Sequence, residues 1–176
     1  MRCGIAFGSN VGDRLACLRA ARAAVHRLHE GGGDQANVAL ASPVYETEPV
    51  GCAPGTPPYL NAVMEIDSTQ PPLKLLAALQ KIEGDLGRPA ERPRNAPRTL
   101  DLDLLYMDGE TVAEGGLNLP HPRMHERRFV LEPLNAIRPG LRLPGAGASV
   151  AELLAALPAT PKVALVCGAE GWEPGA

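Results

Sequence analysis

Asp101 and Asp103 stand two residues apart in the run RTLDLDLLY (98–106), an apolar stretch that otherwise reads as a buried strand. Residues two apart on a strand point to the same face, and their side chains start about 7 Å apart. A buried carboxylate is costly unless it is protonated, paired or bound to metal, so this pair needs partners. Two carboxylates at that spacing suit one or two Mg²⁺ ions shared with waters and substrate phosphates. Solvated aspartates on an exposed sheet face are the competing reading of the pattern alone.

The residues just before the pair move that balance. Between positions 88 and 98 lie Arg88, Arg92, Arg94 and Arg98 against one acid, Glu91, in a chain of net charge −3. Metal-binding carboxylates beside a guanidinium-rich loop are what phosphoryl transfer requires, because metal bridges the phosphates and arginines neutralise the moving group. The planar arginine fork can also hold phosphate oxygens bidentately. A basic loop that merely pairs with Asp101 and Asp103 stays open.

A second polar cluster follows in PHPRMHERRF (120–129), with His121, Arg123, His125, Arg127 and Arg128 before Phe129. The i, i+4 histidines invite a zinc reading, but Pro120 and Pro122 spoil a helical start and the glutamate of HExxH is missing. Cationic and hydrogen-bonding groups for phosphate fit better. Phe129 is by default a core residue, or an aromatic that stacks on a planar ring.

These groups need a scaffold. Residues 3–7 (CGIAF) form a short strand, and GSNVGD (8–13) turns it into a helix with Leu15, Leu18, Ala21, Val25 and Leu28 at helical spacing. That turn is neither GxGxxG nor a P-loop, so Ser9 or Asn10 is expected to cap the helix. An extended segment over about 38–47 leads into EPVGCAPGTPP (48–58), a loop rich in proline and glycine. YLNAVMEID (59–67) reads as a strand. Pro71-Pro72 opens a helix to about Leu86, and RPAERPRNAP (88–97) is too proline-rich for regular structure.

Asp108-Gly109 signals a hairpin return from the TLDLDLLYM strand. A helix is expected from about Glu126 and another over 149–157, after which the tail is weakly patterned, with a possible strand at KVALV (162–166). The alternation favours an α+β fold, a ferredoxin-like α/β sandwich with helices packed on a mostly antiparallel sheet. One domain spans 1–176, with its core at about 3–157.

Bulk properties narrow the function classes. A pI near 5.8 argues against a general nucleic-acid binder. Cys3, Cys17, Cys52 and Cys167 form no CxxC pair, as suits reduced thiols in the cytoplasm. The opening MRCGIAFGSN breaks at Gly8 before a signal-peptide core develops, and no segment approaches the roughly 20 apolar residues of a membrane span. A cytoplasmic monomer with no membrane partner is expected.

Together, IAFGSN (5–10), YLNAV (59–63), PRTLDLDLL (97–105) and LPHPRMHERRFVLEPL (119–134) make the chain resemble the 6-hydroxymethyl-7,8-dihydropterin pyrophosphokinase family of folate biosynthesis. The resemblance runs from residue 5 to about 157. It implies transfer of pyrophosphate from ATP to 6-hydroxymethyl-7,8-dihydropterin, releasing AMP, with two Mg²⁺ ions. It implies that Asp101 and Asp103 are metal ligands and that Tyr59 and Phe129 sandwich the pterin. Asn61 reads the ring's polar edge, and backbone groups near Thr47, Glu48 and Val50 complete that pocket.

By the same resemblance Gln80, Glu83 and Leu104 surround ATP, and Arg88, Arg98, His121 and Arg127 occupy cationic and phosphate-contacting positions. The chain departs from many members in carrying Asn95-Ala96-Pro97 in place of a tryptophan-containing turn. Gly116, Ala90 and Glu91 stand where some relatives are basic, so Arg92 or Arg94 is the candidate substitute at ATP. No strong side-chain base is evident, and metal coordination is expected to acidify the pterin hydroxyl. Two other readings stay open: a magnesium-dependent nucleotide hydrolase using the DxD pair, and a catalytically dead pterin- or nucleotide-binding module.

Overall fold

Strand β1 (Arg2–Ser9) alternates large and small residues: Cys3, Ile5 and Phe7 on one face, Gly4, Ala6 and Gly8 on the other. With a period of two, that pattern sends the large set into one core and leaves the small set as a thin floor on the opposite face. The computed structural model describes residues 1–29, 39–49, 51, 54–87 and 98–175 and has this arrangement. The remaining elements are α1 (Arg14–His26), β2 (Leu40–Ala41), β3 (Val44–Thr47), β4 (Tyr59–Asp67) and α2 (Pro72–Asp85). They continue with β5 (Asp101–Met107), β6 (Val112–Glu114), β7 (Leu117–Leu119), α3 (Arg128–Ile137), α4 (Val150–Ala156) and β8 (Val163–Cys167).

The main sheet runs β5-β1-β4-β3-β8, with β2 also paired to β4, and its ladders are antiparallel. Helices flank both faces. Ile5, Phe7, Leu60, Ala62, Met64, Leu102 and Leu104 pack with Leu18, Ala21 and Val25 of α1 and Leu75, Leu79 and Ile82 of α2. On the other face Val63, Leu105 and Tyr106 pack with Val130, Leu131 and Leu134 of α3 and Val150 and Leu154 of α4. The helix start at α4 is specified by a capping box in which Ser149 and Glu152 satisfy each other's backbone N–H groups.

Gly4 has a specific reason to lack a side chain: the Tyr106 ring lies across it, and a Cβ there would sit 2.2 Å from a ring carbon. Tyr106 thereby reaches from β5 over β1 to β4 and donates its hydroxyl to Glu65 at 2.5 Å. Glu65 is buried and is held by the guanidinium of Arg138, just past α3. A carboxylate buried there is tolerable because it is paired and hydrogen-bonded at once.

Several expectations need correction. The helix-start residue is Asp13, whose side chain accepts from Ala16 N–H at 3.0 Å, and not Ser9 or Asn10. Asp108-Gly109 does turn the chain, but the return segment β6 pairs with β7 as a separate two-stranded ribbon, so no β5–β6 hairpin forms. The possible strand at 162–166 does form, as β8 paired with β3, but the core runs past residue 157: Trp172 is fully buried in it, edge-on to Phe7. No helix among the described residues is long and apolar enough to cross a membrane.

Candidate active site

Register brings the site residues together. Tyr45, Asn61, Gly8 and Asp101 lie side by side across β3, β4, β1 and β5, and Val63, Ala6 and Asp103 form the next row. Directly opposed residues share a face, so Asn61 and both aspartates look out over the small-residue floor of β1. Gly8 is the lowest point of that floor: a Cβ built on it would sit 3.6 Å from Asn61 Oδ1 and 3.7 Å from Asp101 Cβ. Asn61 is buried, and its Nδ2 donates to Thr47 Oγ1 at 2.7 Å, which orients the carboxamide with its oxygen toward Gly8. Glu48, next along, has an exposed side chain.

The two aspartates have found partners. Arg98 Nη1 lies 2.5 Å from Asp101 Oδ2, and Arg127 Nη1 lies 3.8 Å from Asp103 Oδ2. The Asp101 side chain is 22% exposed and that of Asp103 43%, so β5 presents them at a half-open face and not in the core. Burial works against charge on Arg98, but Asp101 and a hydrogen bond with Tyr59 outweigh it and raise its pKa. Arg127 goes the other way: burial, then the nearby Arg123, lowers its pKa, although Asp103 opposes the shift. Its guanidinium carbon stands 5.6 Å from the centre of the Phe129 ring. Tyr59, Arg98 and Asp101 therefore form one arm of the site, and Asp103, Arg127 and Phe129 the other.

His121 joins this cluster as a neutral group, which departs from a cationic role. Burial, followed by Arg127 and Arg123, depresses its pKa to about 4. Its Nδ1 accepts from Arg123 N–H at 3.3 Å, which leaves Nε2–H as the donor in the neutral ring. The unfolded chain binds this proton near pH 6.5 and the folded chain only near 4, so the contribution to stability is complete above pH 6.5 and is lost as pH falls toward 4. NMR titration of the substrate-free protein is expected to place the His121 midpoint near 4, and an added triphosphate analogue to move it upward. The His121→Gln variant is expected to lose this part of the acid destabilisation.

Among the positions expected around ATP, Gln80 is exposed on α2 and Glu83 is buried. Glu83 Oε1 accepts from Leu102 N–H at 2.7 Å, tying α2 to β5 at its outer edge. β5 is an edge strand, so by the two-residue period the backbone groups of Leu104 turn to that same outer edge while its side chain is buried inside. At that edge Leu104 therefore offers its backbone and not its side chain. Val50, Arg88, Arg92 and Arg94 lie outside the described residues.

Hard oxygen donors from Asp101 and Asp103, side by side and half exposed, fit Mg²⁺ bound through few protein ligands plus phosphates and water. Among the described residues no three His, Cys, Asp or Glu side chains gather as a metal cluster. The sequence reading took Gly8 only as part of a turn and Asn10 only as a candidate helix cap, not as residues lying between the two arms. The alternation of small residues at positions 4, 6 and 8 is the signal that marks the first.

Residues 4–139 match the family described as 7,8-dihydro-6-hydroxymethylpterin-pyrophosphokinase. A 2-amino-4-hydroxy-6-hydroxymethyldihydropteridine pyrophosphokinase from Bacillus subtilis is 44% identical over 133 residues, 76% of this chain and 75% of its own length. Its counterpart from Pseudomonas aeruginosa is 40% identical over 154 residues, 88% of this chain and 90% of its own. A solved structure described as HPPK-DHPS in complex with substrates superposes with a TM-score of 0.68 at 12% identity, a likeness of fold. It covers 88% of this chain, which spans only 42% of that longer protein. A Plasmodium falciparum HPPK-DHPS mutant gives a TM-score of 0.66, also at 12% identity. With the family matched across most of its length and relatives at this identity, the chain belongs to the 7,8-dihydro-6-hydroxymethylpterin-pyrophosphokinase family.

Proposed function

We propose that the sheet face around Gly8 transfers the terminal pyrophosphoryl group of ATP to the hydroxymethyl oxygen of 6-hydroxymethyl-7,8-dihydropterin, giving AMP and the pterin diphosphate. The observation that carries this reading is the pair of acid–base arms: Arg98 on Asp101 beside Tyr59, and Arg127 by Asp103 beside Phe129. The pterin lies between Tyr59 and Phe129, over the Gly8 floor, with its polar edge on Asn61 and on backbone near Thr47, Glu48 and Val50. Triphosphate lies over Asp101 and Asp103, with Arg98, Arg127 and His121 around it, and with Arg88 and Arg94 as further phosphate contacts. Adenosine runs along the outer edge of β5 by Leu104, near Gln80 and Glu83.

Asp101 and Asp103 would hold two Mg²⁺ ions. Bound there, magnesium neutralises phosphate charge and makes the substrate hydroxyl more acidic. The chain's own contribution is positioning and charge compensation. Arg98 and Arg127 leave the carboxylates for phosphate oxygens, neutral His121 donates its Nε2–H, and Tyr59 and Phe129 fix the ring so that its hydroxyl meets the β-phosphorus in line.

The strand order supports a ferredoxin-like sheet: β1-α1-β3-β4-α2-β5, arranged β5-β1-β4-β3 with antiparallel neighbours, is the split βαβ pattern. A single domain, acting as a cytoplasmic monomer, completes the reading. The test is AMP release from ATP with and without the reduced pterin. Pterin-dependent AMP together with a pterin diphosphate is expected; AMP from ATP alone, or none in either case, overturns the assignment.

The Gly8→Ala variant is expected to fold normally, since a Cβ at this position meets ordinary contacts, yet to raise the floor under the ring. Calorimetry is expected to give a pterin Kd raised by about tenfold or more, equivalent to losing a snug ring contact.

A further inference from the structure

Asn10 is 2% exposed, and its side chain is engaged in two directions. Its backbone N–H donates to the Arg98 carbonyl at 3.1 Å, while Arg98 N–H donates to Asn10 Oδ1 at 2.8 Å, a reciprocal pair between the end of β1 and the approach to β5. On its other side Asn10 Nδ2 donates to the Pro57 carbonyl at 3.4 Å. Pro57 precedes Tyr59 by two residues and Arg98 precedes Asp101 by three. One carboxamide therefore touches the backbone leading into each half of the site.

The neighbouring residues reinforce both contacts. Arg14 Nη1 donates to the Pro58 carbonyl at 2.8 Å and pairs with Glu46, also at 2.8 Å, while the Cys17 thiol donates to the Thr99 carbonyl at 3.1 Å. Asn10 is not needed to start α1, because Asp13 does that. What its side chain does accomplish is to join two chain segments that are 41 residues apart (57 and 98) and otherwise belong to different strands.

We infer that Asn10 is a positioning residue for pyrophosphoryl transfer: by bracketing Pro57 and Arg98 it sets the separation between Tyr59 on the ring side and Arg98 with Asp101 on the phosphate side. The inference rests on the proposed reaction. In-line transfer is sensitive to that separation, since a displacement of about 1 Å can cost about 10²-fold in rate. Either substrate alone meets mainly one half of the site, so a loosened bracket weakens turnover far more than binary affinity.

The experiment compares Asn10→Ala, Asn10→Asp and Ser42→Ala in the full chain. Asn10→Asp keeps the acceptor for Arg98 N–H and loses the donation to Pro57. Ser42→Ala removes the buried hydroxyl that accepts from Val63 N–H at 2.9 Å and serves as a stability control away from the bracket. Asn10→Ala is expected to lower kcat about 30-fold or more, with KM and the binary Kd of each substrate within about threefold of wild type. Asn10→Asp is expected to fall between, and Ser42→Ala to keep kcat within about twofold even at an equal loss of Tm.

Amide exchange without substrate is the second readout. In Asn10→Asp the Tyr59 amide is expected to exchange faster, because its segment has lost the tie. Unchanged exchange at Tyr59, kcat of both Asn10 variants within about threefold of wild type, or an equal kcat loss in Ser42→Ala at equal Tm overturns the inference. Absence of pterin turnover in the wild-type chain is instead a failure of the proposed reaction, and the exchange readout still decides whether the bracket exists.

Discussion

Replacing Asp101 or Asp103 with alanine is expected to lower kcat/KM by about 10³-fold or more, the scale of losing a preorganised charge-stabilising group. The two variants should nevertheless differ. Asp101 is the close partner of Arg98, whose Nε is buried with no hydrogen-bond partner among the described residues. Removing Asp101 leaves a largely buried guanidinium short of its counter-charge, so Asp101→Ala should also lower Tm. Asp103 is more exposed and Arg127 stands 3.8 Å away, with the Phe129 ring beside it, so Asp103→Ala should melt near the wild type. Kinetics at varied Mg²⁺ and a thermal melt separate the effects. Retention of more than about a tenth of wild-type turnover by either variant would remove the pair from the mechanism.

The largest stability effect is expected far from the chemistry. Trp172→Ala should destabilise the fold by about 3–5 kcal/mol, the cost of deleting a large buried aromatic side chain. Trp172 is fully buried, edge-on to Phe7 at 5.3 Å between ring centroids, under the Arg22 guanidinium at 4.8 Å. Its Nε1–H donates to the Ser42 carbonyl at 2.8 Å, which would be left without that partner. Arg19 and Arg22 also hold the carbonyls of Gly171 and Ala169, so α1 grips the tail at several points. Urea denaturation should reveal a lower midpoint at unchanged m. A loss below about 1 kcal/mol would mean the tail packs loosely.

Much of this was legible in the residues. YLNAVMEID matches β4 residue for residue, and the Asp-x-Asp pair lands on one face of β5 because strand geometry permits nothing else. The Arg and His residues after Pro120 read as one polar cluster, and the structure gathers His121, Arg123 and Arg127 near Asp103. Their charge states were not legible, because His121 is neutral only through burial and two guanidiniums that arrive from its own loop. The tail was legible in part, since KVALV reads as a possible strand and forms β8, while its burial was not. Its polar and glycine-rich spacing hides one tryptophan whose burial goes with a strand pairing across 123 residues, Val44 with Cys167 and its neighbours. Asp108-Gly109 has the composition of a hairpin turn, yet tertiary pairing chose β7 as the partner of β6.

The two Arg–Asp pairs also determine how the site meets its ligands. Within the four side chains Arg98, Asp101, Asp103 and Arg127 the formal charges cancel before any substrate arrives. On the proposed reaction, a magnesium–triphosphate entering there would trade partners like with like: cations to carboxylates, phosphates to guanidiniums. Much of the desolvation of these four side chains has then already been borne by folding, and their own charges add no net field of one sign. Their share of association should accordingly respond only weakly to ionic strength, unlike the share of arginines without a carboxylate partner.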